Sequence, residues 1–111
     1  MKIRHILKKE EFSDILASGK RLRGSKMTVY SDSSSGDESA VGLIIPKKMI
    51  PLAVTRNYIR RRIYAFFTSL PEKRTKKKRR IIHITKPIKK TKRKNLSEIL
   101  EEEIKTLLGK E

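Results

Sequence analysis

The pattern of apolar residues predicts an α+β fold: a small mixed sheet covered by helices in a two-layer sandwich. Three observations carry this. Ile59, Ile63, Phe66 and Leu70 recur at helical spacing along residues 54–70. AVGLII, Ala40 to Ile45, is a near-continuous apolar run of strand length, as expected for a strand buried on both faces. Near the end of the chain, Leu96, Leu100, Ile104, Leu107 and Leu108 form the apolar stripe of another amphipathic helix.

In chain order, residues 8–17 read as a first helix with Phe12, Ile15 and Leu16 on its apolar face. Glu10, Glu11 and Asp14 lie early in it, where the helix dipole favours acids, and Gly19 is placed to stop it. A weak pattern admits a short strand before Gly24. KMTVYS then alternates Met27 and Val29 on one face with Thr28 and Tyr30 on the other, a strand signature. SDSSSGDES, residues 31–39, is a polar connector suited to a hairpin. PKKMIPL turns the chain after AVGLII, and a helix over residues 54–69 follows, with Pro71 helping to end it. EKRTKKKRR and KPIKKTKRK are basic connectors on either side of RIIHIT, Arg80 to Thr85, a short β-rich strand. Their like charges repel, which makes them candidates for disorder without a partner. Asn95 caps the last helix, Glu98 completes a capping-box-like pattern, and Gly109 ends it. The order is αβ(β)βαβα, in one domain over residues 1–111.

Charge dominates the composition. Lys and Arg number 29 against 12 Asp and Glu among 111 residues, a formal net charge of +17, while hydrophobic residues make up only 36%. Self-repulsion of that size opposes a compact state, and the simplest compensation is a polyanion whose neutralised phosphates release counterions. Cysteine is absent, which sits with a cytoplasmic location. MKIRHILKKEEF has no apolar run long enough for a signal sequence, and no segment reaches the roughly 20 apolar residues of a membrane span. The expectation is a cytoplasmic chain that engages nucleic acid and no membrane.

Catalytic machinery is not legible. His5 and His83 are the only histidines and neither has metal-ligand or nucleophile spacing; His83 reads as a sheet residue. No catalytic or metal-ligating residue is assigned. The strongest local signal is AVTRNYIRRRIYAFF, Ala53 to Phe67. Arg56 and Arg60, like Asn57 and Arg61, are i,i+4 pairs, forming adjacent rows off the apolar stripe. Arginine forks match phosphates and stack on bases. A solvated helix face is the bland alternative, but such faces mix signs, and no acid occurs between Ala40 and Leu70. Lys47 and Lys48 extend this surface. A second candidate is aromatic: Phe12 and Tyr30, with Thr28 beside Tyr30 on its strand face, fit a base-stacking groove or ordinary core packing.

VGLIIPKK followed by AVTRNYIRRRI resembles the signature of the bacterial ribonuclease P protein component. In that family a glycine-containing strand, a Lys-Lys pair and an Ala-Val-x-Arg-Asn-x-x-(Lys/Arg)-Arg helix occur in this order. LKKEEFSDILASGKR is similar to the family's first helix, RIIHITKP to its last strand, and the leucine-rich end to its final helix. There are departures. Tyr58 stands where the family has a third basic residue, leaving Arg60, Arg61 or Arg62 to supply that contact. MIPL replaces a glycine-containing turn, Leu16 replaces a second aromatic, and Arg79 and Arg80 stand where an acid often precedes the last strand.

The resemblance implies a ribosomal protein S5 domain 2-like fold with a left-handed β-α-β crossover, against the general rule. It implies a protein that binds ribonuclease P RNA through Lys47, Lys48, Arg56, Asn57, Arg60, Arg61 and Arg62. The single-stranded 5′ leader of precursor tRNA would lie in a groove containing Phe12, Leu16, Thr28 and Tyr30. The RNA would carry the active site and its Mg2+ ions, the holoenzyme would remove the leader, and the protein would be a monomer in a 1:1 complex. The other reading is a non-enzymatic basic RNA-binding protein, ribosome-associated or an RNA chaperone.

Overall fold

The computed structural model describes residues 3–32, 39–70, 78–87 and 93–110. Pro71 and most of the connectors expected over residues 31–39, 72–80 and 86–94 lie outside them. The elements are β1 (Ile3–His5), α1 (Lys9–Ser18), β2 (Lys20–Arg23), β3 (Met27–Asp32), β4 (Ser39–Ile44), α2 (Ala53–Ser69), β5 (Arg79–Ile84) and α3 (Arg93–Leu108). The strands form one sheet in the order β1-β4-β5-β3-β2. β4 pairs in parallel with both β1 and β5, whereas β3 pairs antiparallel with β5 and β2. The sheet is therefore mixed, as expected for the α+β class, and α2 connects the parallel neighbours β4 and β5.

Strand alternation assigns each side chain to a helix. On one face Met27, Val29, Val41, Leu43, Ile82 and Ile84 pack with Ile59, Ile63 and Phe67 of α2 and Leu96, Leu100, Ile104 and Leu107 of α3. On the other, Ile81 and Ala40 meet Ile6 and Ile15, with Phe12, Leu16, Tyr30 and Ile44 packed around them. α1 thus covers part of the face opposite α2 and α3. Gly42 in the centre of β4 permits this cover: a Cβ there would lie 2.8 Å from Cζ of Phe12 and 3.1 Å from Cβ of Ile6.

Several boundaries differ from the sequence expectation. The weakly marked strand before Gly24 is real and forms the β2 edge. β1 has no counterpart in the predicted order, because three residues with an exposed Arg4 and His5 carry no readable period. α3 starts at Arg93, so Asn95 lies inside its first turn instead of capping it. On α2, Phe67 and not Phe66 is the fully buried aromatic; Phe66 is partly buried beside it.

Candidate nucleic-acid interface

α2 is rooted in the core by Ile59, Ile63 and Phe67, and at about 100° per residue its arginines splay around the remaining surface. Arg56 turns back on the preceding turn, its Nη1 donating to the carbonyl oxygens of Ile50 at 3.0 Å and Pro51 at 2.8 Å. Arg60 donates to the Asn57 side-chain oxygen at 3.3 Å. Arg61 is exposed and has no hydrogen-bond or ion-pair partner among the described residues. Arg62 lies on the α3 side, 3.7 Å from a carboxylate oxygen of Glu101. Lys47 and Lys48 are exposed on the turn that leads into the helix. That turn is closed by the amides of Met49 and Ile50 donating to Pro46 O. The first turn of α2 contains no acid, so its positive dipole end is not offset locally. The expected residues thus lie along α2 and the turn before it, and Arg61, Lys47 and Lys48 are exposed with no hydrogen bond or ion pair among the described residues.

The four groove residues come together on the other face of the sheet. Phe12 and Leu16 project from α1, half-buried, while Tyr30 is half-buried and Thr28 buried on β3. Register places Tyr30 opposite Ile81 and Thr28 opposite His83. His83, read from sequence as a sheet residue, thus lies beside Thr28 on this face of the sheet, and burial pushes its pKa below the usual histidine value. Phe12 is part of the core, its ring closing over Gly42, while part of it remains accessible.

Two acids on this face, Glu11 and Asp32, are engaged by arginines. Arg79 grips Asp32 through Nε at 2.9 Å and Nη2 at 2.7 Å, and reaches Glu11 at 3.4 Å. Arg4 grips the same Glu11 with two bonds, at 2.7 and 2.8 Å. Arg4's hydrogen bond is the main reason that the Glu11 carboxyl is held below the ordinary carboxylate pKa, with Arg79 adding to it against partial burial. Arg79, out of place by family pattern, is therefore a bridge between β5, β3 and α1. Arg80, its neighbour on the strand, is wholly buried on the opposite face and is not left free. The sequence offered no signal for either role, because the partners are distant along the chain.

The ribonuclease P family model matches residues 1–110. The chain belongs to that family. It is 34% identical to the ribonuclease P protein component of a Pseudanabaena species over 65 residues, 57% of this chain and 55% of that protein. The match thus spans about half the length of this curated relative. Among solved structures, the ribonuclease P protein of Staphylococcus aureus superposes with a TM-score of 0.71 at 25% identity, covering 95% of both chains. The Thermotoga maritima protein gives 0.70 at 19% identity, covering 97% of both, and supports the fold alone. Family membership accounts for the α+β fold and for the basic helix as one architecture.

Among the described residues no group of three or more His, Cys, Asp or Glu side chains is placed to hold a metal ion. Glu11 and Asp32 are held by arginines.

Proposed function

We propose that this chain is the protein subunit of the ribonuclease P ribonucleoprotein, which removes the 5′ leader of precursor tRNA by endonucleolytic cleavage. The RNA subunit carries out the cleavage with its own metal ions, magnesium in this reading. The protein contributes binding: Lys47, Lys48, Arg56, Asn57, Arg60, Arg61 and Arg62 dock on ribonuclease P RNA, and Phe12, Leu16, Thr28 and Tyr30 hold the single-stranded leader. One protein per RNA and a cytoplasmic setting complete the proposal.

One observation carries it. The basic side of α2 and the groove beside α1 open on opposite faces of a single sheet, so two RNA segments can be held at once without competing for the same cations. Stacking is worth roughly 1–3 kcal/mol per base, and each neutralised phosphate adds salt-sensitive affinity.

Reconstitution with a bacterial ribonuclease P RNA tests the proposal. The protein should lower the magnesium required for precursor tRNA cleavage and tighten binding of precursor relative to mature tRNA. A chain that binds the RNA without either effect would belong instead to the non-catalytic RNA-binding class.

A further inference from the structure

The groove has a charged margin that no residue assigned so far explains. β2 is the edge strand of the sheet, and its register sets Arg21 opposite Tyr30 and Arg23 opposite Thr28. Directly opposed residues in an antiparallel pair point to the same face, so both arginines start from the groove side of the edge strand, Arg23 at its end where it also borders the cleft against α3. Both are exposed, and neither has a hydrogen bond or ion pair among the described residues. The guanidinium of Arg21 lies 5.6 Å from the centre of the Tyr30 ring. That cation–π contact inclines it over the groove and reduces the entropy lost when a ligand fixes it.

Two further facts make this margin electrostatically available. Glu11 and Asp32, at the far end of the same face, are held by Arg4 and Arg79, and the exposed Glu10 and Asp14 line the cleft beside those arginines. Arg23 also borders the cleft where Glu102 and Glu103 lie, yet it forms no ion pair with either. Glu103 instead accepts from Ser25 Oγ and the Lys26 amide, both at 2.9 Å, and Glu102 stands 3.8 Å from Lys105. At a rise of about 3.3 Å per residue, Arg21 and Arg23 stand about 7 Å apart along the strand. That is the scale of the step between successive phosphates in an extended single strand.

We propose that the β2 edge is a phosphate rail: Arg21 and Arg23 each hold a backbone phosphate of the single-stranded leader, whose bases lie inward against Tyr30 and Phe12. This rests on the groove reading above and adds to it residues that contact backbone instead of base. Such contacts set the register of the leader without reading its sequence. The competing explanation is that edge arginines only deter sheet-to-sheet association.

The experiment uses the holoenzyme reconstituted with a bacterial ribonuclease P RNA, and measures affinity for precursor and mature tRNA over a series of KCl concentrations. Arg21→Ala and Arg23→Ala should each weaken precursor binding several-fold and leave mature tRNA binding unchanged. Each should reduce the salt slope for precursor by about 0.7, the single-strand value per phosphate, and Arg21→Lys and Arg23→Lys should restore it. Neutral methylphosphonates walked along the leader should find, for each arginine, one linkage at which the alanine variant loses nothing further. Equal losses on precursor and mature tRNA, an unchanged slope, or aggregation of the variants with precursor preference intact would overturn the rail. Phe12→Ala and Tyr30→Ala, run in parallel with thermal melts, separate the two levels. If they weaken precursor binding selectively and the arginine variants do not, the rail fails and the groove stands. If none of the four discriminates, the groove reading fails with it.

Discussion

Arg56 and Arg61 lie on the same helix yet carry different obligations. Arg56 holds two carbonyls of the turn before α2, so Arg56→Ala should cost about 1–3 kcal/mol of stability as well as RNA affinity, hydrogen bonds from a charged donor being of that order. Arg61 has no hydrogen-bond or ion-pair partner among the described residues. Arg61→Ala should leave the melting temperature unchanged and lower the salt slope of RNA binding by about 1; chemical denaturation alongside salt titrations of RNA affinity checks both. An Arg61→Ala slope equal to wild type would remove this residue from the docking surface. Gly42 makes a complementary case. Gly42→Ala drives a methyl group against the Phe12 ring and Ile6, and overpacking of that kind costs about 1–3 kcal/mol. Since Phe12 also walls the groove, the variant should lose precursor preference even at temperatures where it remains folded, as paired melting and tRNA-binding measurements would show.

Among the elements, α1 depends most on charge for its placement. Its N-terminal half is tied through Glu11 to Arg4 on β1 and to Arg79 on β5, which in turn holds Asp32 on β3. The folded Glu11 carboxyl binds its proton less readily than an unfolded one, chiefly because of Arg4. Its stabilisation is therefore complete above the unfolded glutamate value of about 4.3 and is lost as pH falls below that, through the lowered folded value. Glu11→Gln should melt at a lower temperature at pH 7, with the difference from wild type narrowing toward pH 3. A difference that stays constant over this range would show that the ion pairs do not anchor the helix. At the other end of the sheet, Glu103 of α3 clamps the turn between β2 and β3 by accepting from Ser25 and Lys26. Its second oxygen is buried without a partner among the described residues, so this tie carries a desolvation cost.

For the whole molecule, a net charge of +17 on so small a chain is the governing quantity. An excess of cations over acids on that scale suits a protein bound to RNA, whose phosphates it would help to neutralise. The purified protein without RNA is expected to cleave no precursor tRNA, because the described residues offer no acid, base and nucleophile arranged around one position. Magnesium-dependent release of the mature 5′ end by RNA-free protein, assayed after nuclease treatment and repurification, would refute this. In the reconstituted complex the magnesium requirement should rise with KCl, as screening weakens the protein's contribution.

Local pattern was enough to read α1, α2, α3, β3, β4 and β5, because each has a period that separates a buried face from an exposed one. It was also enough to gather Lys47, Lys48 and the α2 arginines, which are near neighbours in sequence. The groove was half legible: alternation put Thr28 and Tyr30 on one face of β3, but nothing local said that Phe12 would cross to meet them. Strand order, the short β1, and the opposite placement of the two candidate sites came only with tertiary structure. So did the distinction between arginines engaged by other groups of the protein, Arg4, Arg56 and Arg79, and those with no hydrogen bond or ion pair among the described residues, Arg21, Arg23 and Arg61. The physical reason is that a repeat in sequence records which way a side chain points, whereas pairing between strands and between charges depends on residues far apart in the chain. Charge composition pointed to a polyanion partner; only folding determined which cations are engaged within the protein.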